Sequence, residues 1–131
     1  MVILGVDYGE KRVGLAIATP NSSPERMAVI PGGGEAVDGV VKAVLAHEVG
    51  TVVVGLPRNL DGDDTTQTRL VRQFATRLEA ELGGIPVVLQ DEADTSNIAR
   101  GRLTRQKMSD KEIKQWLDAE AAAVILEDFK Q

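Results

Sequence analysis

Three carboxylates in this 131-residue chain stand where the surrounding sequence is built for burial. Asp7 ends "VILGVD", in which every earlier residue is apolar or glycine, and Glu92, beside Asp91, ends "IPVVLQDE". Asp118 lies in a helical stretch. The positions three, four, seven and eight residues on are Ala121, Ala122, Ile125 and Leu126, so its charge sits over an apolar face that must point at the rest of the fold. Acids that close buried parallel strands gather at the strands' carboxyl ends, where open α/β sheets bind ligands. Two unit charges about 4 Å apart repel by roughly 4 kcal/mol at an effective dielectric near 20. Converging carboxylates with no lysine or histidine among them therefore call for a cation. Hard divalent ions take oxygen ligands, and Mg²⁺ in particular combines a few carboxylates with water and substrate phosphate. The chemistry such a site supports is metal-assisted phosphodiester hydrolysis.

Each acid also has a structural reading. Asp7 precedes Tyr8-Gly9, a place where aspartate serves turn chemistry. Glu92 stands just ahead of Thr95-Ser96, as a residue at a helix start would, and Asp118 fits a buried carboxylate satisfied by the backbone. The coincidence of the three, more than any one of them, points to a cation.

The elements that must position these residues follow from the hydrophobic pattern. "VILGV" is a short continuous apolar run, the signature of a strand buried on both faces. "RVGLAIA" alternates Val13, Leu15 and Ile17 with Gly14, Ala16 and Ala18, a strand with one bulky and one thin face. The turn at residues 7–11 joins the two as a hairpin. Residues 26–31 predict a third strand after the Pro/Ser-rich loop at 20–24, and residues 35–48 place Val37, Val40, Val41, Val44 and Leu45 at helical spacing. "TVVVGLP" is a buried strand stopped by Pro57. "DGDDTTQ" opens a long helix to Leu82 with Leu70, Val71, Phe74, Ala75 and Leu78 as its stripe, and "IPVVLQDE" follows Gly83-Gly84 as another buried strand. Residues 95–103 and 110–129 predict two final helices. Hairpin strands followed by strand–helix alternation mean a mixed α/β fold, with antiparallel and parallel strands in one sheet and helices on both faces. With no linker, repeat or low-complexity tract, residues 1–131 are expected to form a single domain, long enough to bury about 65–70% of its unfolded surface.

Composition narrows the chemistry. The absence of cysteine excludes disulfides, thiol nucleophiles and thiolate zinc sites, and the single histidine, His47, excludes a multi-histidine centre. The apolar start is too short for a signal peptide and no run approaches a membrane span, so a cytoplasmic protein without membrane contact is expected. The net charge of −5 is unevenly spread. Residues 100–116 carry Arg100, Arg102, Arg105, Lys107, Lys111 and Lys114 against Asp110 and Glu112, a local excess of four positive charges on an acidic body. Such a segment suits binding of an anion in one place, and it equally suits a solvated helix face.

Four stretches, "LGVDYGEKRVGLAIA", "VVVGLPRNLDG", "DE" followed by Thr95, and "LDAEAAAVILEDF", resemble in order the motif blocks of the YqgF family. These are small RNase H-fold proteins described as pre-16S rRNA nucleases or Holliday junction resolvase-like proteins. The resemblance covers essentially the whole chain. It implies an RNase H-like fold, a Mg²⁺- or Mn²⁺-dependent nuclease, and trimming of the 5′ end of precursor 16S rRNA in ribosome biogenesis. The partner would be RNA, with branched DNA as the other nucleic acid to consider, and the chain a monomer or homodimer. Carried over position by position, the catalytic and metal-binding acids fall on Asp7, Glu92 and Asp118. Gly9, Lys11 and Arg12 match the family's first turn, and Gly55-Leu56-Pro57 its central strand end. One block departs: the family's usual Asp-Glu-Arg-Leu-Thr reads "DEADT" here, so Ala93 and Asp94 remove a cation and add an anion beside the site. Glu120 also stands where the family tends to be apolar, and is read as a solvated residue.

The candidate nucleic-acid contacts are Lys11, Arg12, Arg58, Arg100, Arg102 and Arg105. Tyr8, placed near the site, is a candidate for stacking on a base. With only Phe74, Trp116 and Phe129 as further aromatics, recognition should lean on backbone charge and shape. Gly32-Gly33-Gly34 lacks the Lys-Ser/Thr of a P-loop and reads as a flexible connection; His47 reads as a half-exposed surface residue. Three other functions compete: an actin- or sugar-kinase-like ATPase, which shares Asp-x-Gly between two strands but needs two such domains; a junction-resolving DNA endonuclease on the same site; and a non-catalytic RNA- or ribosome-binding module.

Overall fold

The computed structural model describes residues 1–92 and 94–131. One five-stranded sheet runs in the order β3-β2-β1-β4-β5, built from β1 (Val2–Asp7), β2 (Arg12–Ala18), β3 (Glu25–Pro31), β4 (Val49–Pro57) and β5 (Val87–Glu92). The helices are α1 (Ala36–Ala46), α2 (Thr66–Leu82), α3 (Thr95–Arg105) and α4 (Asp110–Lys130). The hairpin strands β1–β2 and β2–β3 pair antiparallel, while β1–β4 and β4–β5 pair parallel. The expected mixed sheet with helices on both faces is therefore what forms.

Period-2 alternation divides the side chains between two unlike layers. Leu4, Val6, Val13, Leu15, Val52, Val54 and Leu56 face α1 and α2, packing with Val40, Val44, Val71, Phe74 and Leu78. On the other side Ile3, Ala16, Ala18 and Val53 meet Ala122, Ala123, Ile125 and Leu126 of α4. The thin face expected of "RVGLAIA" is the seat of α4. At Gly14 a Cβ would stand 1.9 Å from the Asp118 carbonyl oxygen, so backbone meets backbone there and only glycine fits. Helix starts are set by local chemistry: Thr65 and Thr68 form a capping box for α2, and Ser109 and Glu112 one for α4.

Three local expectations change. The Gly32–Gly34 stretch is an ordered turn rather than a flexible connection. Gly33–Glu35 forms a 3-10 helix, the Gly32 amide donates to the Lys11 carbonyl at 3.0 Å, and a Gly32 Cβ would collide with the Gly9 carbonyl at 2.2 Å. The last residue of the expected stripe on α1, Leu45, is exposed, because the stripe follows Ala36, Val40 and Val44. Tyr8 spends one face of its ring on Phe74, stacked with centroids 4.4 Å apart on the α2 face of the sheet, and is partly buried there.

Candidate active site

Asp7, Glu92 and Asp118 belong to β1, β5 and α4, and the topology draws them to one end of the α4 face. Asp7 is the last residue of the central strand and pairs with Gly14 across β2. On its other side lies β4, where Gly55 follows the Val6–Val54 pair. These two glycines let α4 sit close against the strands that carry Asp7 and, beyond β4, Glu92, with the Ile125 side chain filling the Gly55 position. The place of a Cβ on Gly14 is taken by the Asp118 backbone, and that of a Cβ on Gly55 lies 3.1 Å from the Glu92 carboxyl carbon. Alternation along β5 separates neighbours of the same charge: Glu92 turns to the α4 face, whereas Asp91 turns away and meets Arg58 at 3.4 Å.

The electrostatics are unbalanced. Burial pushes the Asp7 carboxyl well above the usual aspartate range, and the charges of Glu92 and Asp118 push it further. Among the described residues no hydrogen bond or ion pair offsets this. Glu92 is also raised, first by burial and then by Asp128, against the opposing hydrogen bond from the Thr95 hydroxyl to its Oε2 at 2.6 Å. Thr95, itself buried, thereby fixes the Glu92 rotamer. Asp118 accepts from Arg12 Nε at 3.0 Å, with the arginine 54% and the aspartate 25% exposed. An ion pair this open is worth at most about 1 kcal/mol.

Three carboxylates, with no thiolate or imidazole, form a donor set that suits a hard divalent cation in kind. Their present arrangement does not close around one ion: among the described residues no group of three acidic or histidine side chains converges on a single point. The reason is visible in two bonds, since Asp118 is turned to Arg12 and Glu92 to Thr95.

The basic candidates separate into two kinds. Arg102 is held by both Glu127 and Glu120, so its charge is spent inside the molecule. Arg58 is drawn to Asp91 and, at 4.0 Å, Asp64. Lys11, Arg100 and Arg105 are exposed and have no ion-pair partner among the described residues. Arg12 and Arg100 share with Lys114, Asp110, Leu117 and Asp118 a cavity of about 390 Å³ beside the acids. Lys114 is not among the nucleic-acid contacts expected from sequence, although its place four residues before Asp118 puts both on one helix face. Glu120 is likewise not a solvated residue. It is buried and accepts from Arg26 at 2.9 Å, with Arg102 at 3.6 Å. In the departing block, Ala93 lies outside the described residues. Asp94 precedes α3 with a left-handed backbone, accepts from Asn97 at 2.6 Å and lines a small cavity with Arg58 and Glu92. His47 is a surface-exposed residue at the end of α1.

The family model described as "RuvX: Holliday junction resolvase" matches residues 1–131. The chain belongs to this family, the same one that the motif blocks resemble. Among its relatives, a protein of Anaeromyxobacter dehalogenans (strain 2CP-C) named "Putative pre-16S rRNA nuclease" is 45% identical, with 98% of this chain and 96% of that protein covered. A Maridesulfovibrio salexigens protein of the same name is 37% identical, covering 98% and 97%. Among solved structures, Thermus thermophilus RuvC in complex with a Holliday junction substrate superposes with a TM-score of 0.60 at 17% identity, over 98% of this chain and 94% of that one. That likeness establishes the RuvC-like RNase H fold for this RuvX-family chain. Among the described residues, none of its helices is long and apolar enough to cross a membrane.

Proposed function

We propose that this chain, as one nuclease domain over residues 1–131, hydrolyses phosphodiester bonds of RNA at Asp7, Glu92 and Asp118, and matures the 5′ end of precursor 16S rRNA in the cytoplasm as a monomer or homodimer. The observation that carries the reading is Asp7: a carboxylate at the end of the central strand, desolvated, acted on by the charges of two more carboxylates and matched by no cation among the described residues. Structural aspartates are paired or hydrogen-bonded; this one is left in a condition that a divalent ion would relieve. The names of the relatives support RNA as the substrate.

Asp7, Glu92 and Asp118 would hold Mg²⁺ or Mn²⁺, which supplies an activated water and positive charge for the departing oxygen. Asp7 anchors the site because its position is set by the sheet. Glu92 lies beside Gly55 and would turn from its Thr95 hydrogen bond to share a cation with the other two acids. Arg12, at the edge of Asp118, is placed to attract the scissile strand. The low-dielectric floor formed by β1, β4 and α4 strengthens each of these interactions.

The test is cleavage of a precursor 16S 5′ leader, an unrelated single-stranded RNA and a four-way DNA junction, each with Mg²⁺, Mn²⁺, Ca²⁺ or chelator. The expected result is leader cleavage with Mg²⁺ or Mn²⁺, little turnover with Ca²⁺, and none in chelator. Preferred cutting of the junction would move the substrate to branched DNA, in keeping with the family's description. Full activity in chelator would overturn the cation site.

A further inference from the structure

We infer that the cavity between the β1–β2 turn, α3 and α4 is a binding site for a backbone phosphate of a single-stranded nucleic acid, one that receives the phosphate next to the scissile bond. The placement relative to the bond rests on the proposed nuclease reading; the phosphate site itself does not.

Three elements each contribute one cation to this cavity of about 390 Å³: Arg12 from the start of β2, Arg100 from α3 and Lys114 from α4. Of these, Arg100 and Lys114 have no ion-pair partner among the described residues, in a chain whose net charge is −5 and where Arg26, Arg58, Arg72 and Arg102 are all paired. Unpaired cations that converge from separate elements are positioned for an anion that arrives from outside. The remaining lining is Asp110, Leu117 and Asp118, with no aromatic side chain, so the cavity has nothing to stack a base on and should read charge rather than sequence.

Asp118 forms a wall of this cavity and is also one of the three acids, so an occupant here lies one side chain away from Asp7. Arg12 is the hinge between the two sites. It now donates to Asp118 at 3.0 Å. A phosphate in the cavity offers Arg12 a second acceptor, and an Arg12 drawn to it leaves the Asp118 carboxylate free to turn toward a cation. Phosphate and cation then favour each other's binding, and by linkage the coupling is equal in both directions.

The experiment is binding of a fluorescent 2′-O-methyl oligouridine to the full chain, with fold checked by circular dichroism and the oligonucleotide's integrity checked by gel in every metal-containing sample. It is titrated in chelator at several salt concentrations, then repeated with Mn²⁺. In chelator, Arg100→Ala/Lys114→Ala should weaken binding about tenfold and lower the salt slope by about 0.7, the value of one phosphate contact on a single strand. Arg77→Ala on α2, across the sheet, is the control and should change neither. Oligoadenosine should bind as oligouridine does. For the wild type, the oligonucleotide should tighten Mn²⁺ binding severalfold, and the double variant should lose that gain. Wild-type affinity and slope in the double variant, or an equal loss in Arg77→Ala, would overturn the phosphate site. Cleavage by Asp7→Asn is the separate readout of the nuclease reading: if that variant still cuts while the double variant fails to bind, the phosphate site stands and the catalytic assignment falls.

Discussion

Two partly buried clusters of charge lie against the same helix, and they are solved in opposite ways. Glu120 of α4 is met by Arg26 from β3 and Arg102 from α3, and Arg102 continues to Glu127, so two carboxylates and two guanidinium groups balance. Trp116 adds its ring beneath Arg26, 5.8 Å away. Two residues earlier on the helix, Asp118 is paired with one partly exposed arginine, Arg12, while Asp7 feels the charges of both Asp118 and Glu92 with no cation beside it among the described residues. The first cluster is complete as protein and ties β3, α3 and α4 together. The second has no such balance among the described residues, which is why we propose it as the cation site. Burial alone therefore does not single out a candidate functional acid here, since Glu120 is itself buried; the proposal rests on the missing counter-charge.

The sharpest way to break this contrast is Asp7→Asn. It should reduce cleavage by about a thousandfold and abolish the rise in melting temperature that Mg²⁺ or Mn²⁺ gives the wild type. In chelator it should leave stability equal or raise it by up to about 2 kcal/mol, since one of three repelling charges is gone. A variant that unfolds without metal would make Asp7 a structural residue and put both clusters in the same class.

Next in size is Gly14→Ala, which attacks the geometry that lets α4 reach the acids. Its methyl group would require the Asp118 carbonyl to retreat from 1.9 Å. A loss of about 3 kcal/mol in urea unfolding is expected, with cleavage lost as Asp118 moves away. If stability and activity both survive, the close seating of α4 is not what assembles the site.

Glu120→Ala should show the mirror image of Asp7→Asn: a loss of about 2–3 kcal/mol from stranding two arginines, with cation-induced stabilisation intact. This loss is at the low end for a buried pair because both arginine side chains are 29% exposed. Equal loss of cation binding would mean that the two clusters are not independent.

The smallest effect is read from pH. Because Asp7 and Glu92 have raised folded-state values, the fold holds their protons more tightly than the unfolded chain does. Metal-free stability should therefore be favoured at low pH and fall as pH rises from the ordinary carboxylate range through the raised values, by about 1.4 kcal/mol for every tenfold by which the fold tightens its hold on a proton. Asp7→Asn should flatten that slope. Urea unfolding in chelator at several pH values would check both.

Much of the fold was legible because burial imposes periodicity. Strands such as "VILGV" and "TVVVGLP" announce themselves as apolar runs, and the alternation of Val13 and Leu15 with Gly14 and Ala16 foretold a face thin enough for a helix. The acids were legible for the complementary reason, that a carboxylate closing such a run is out of place. Most of the local errors share one cause. Gly32, Tyr8, Glu120 and Arg102 each take their role from a partner distant in sequence: the Gly9 carbonyl, Phe74 and the arginine–glutamate network; Leu45 instead lies one residue off the core face that α1 turns to the sheet.

The sequence by itself determined which segments are strands and helices, and which acids stand at their ends, because both are properties of neighbours a few residues apart. Only the tertiary structure decided which charges are spent and which are available. Glu120 and Asp118 look alike on the helix, and Arg100 and Arg102 look alike on the segment before it. What separates them is the sign of the side chain that another element brings within about 4 Å, where Coulomb energy in a partly buried site is large enough to matter. That sign is set by the order of strands and the seating of α4 on Gly14, and no local pattern contains it.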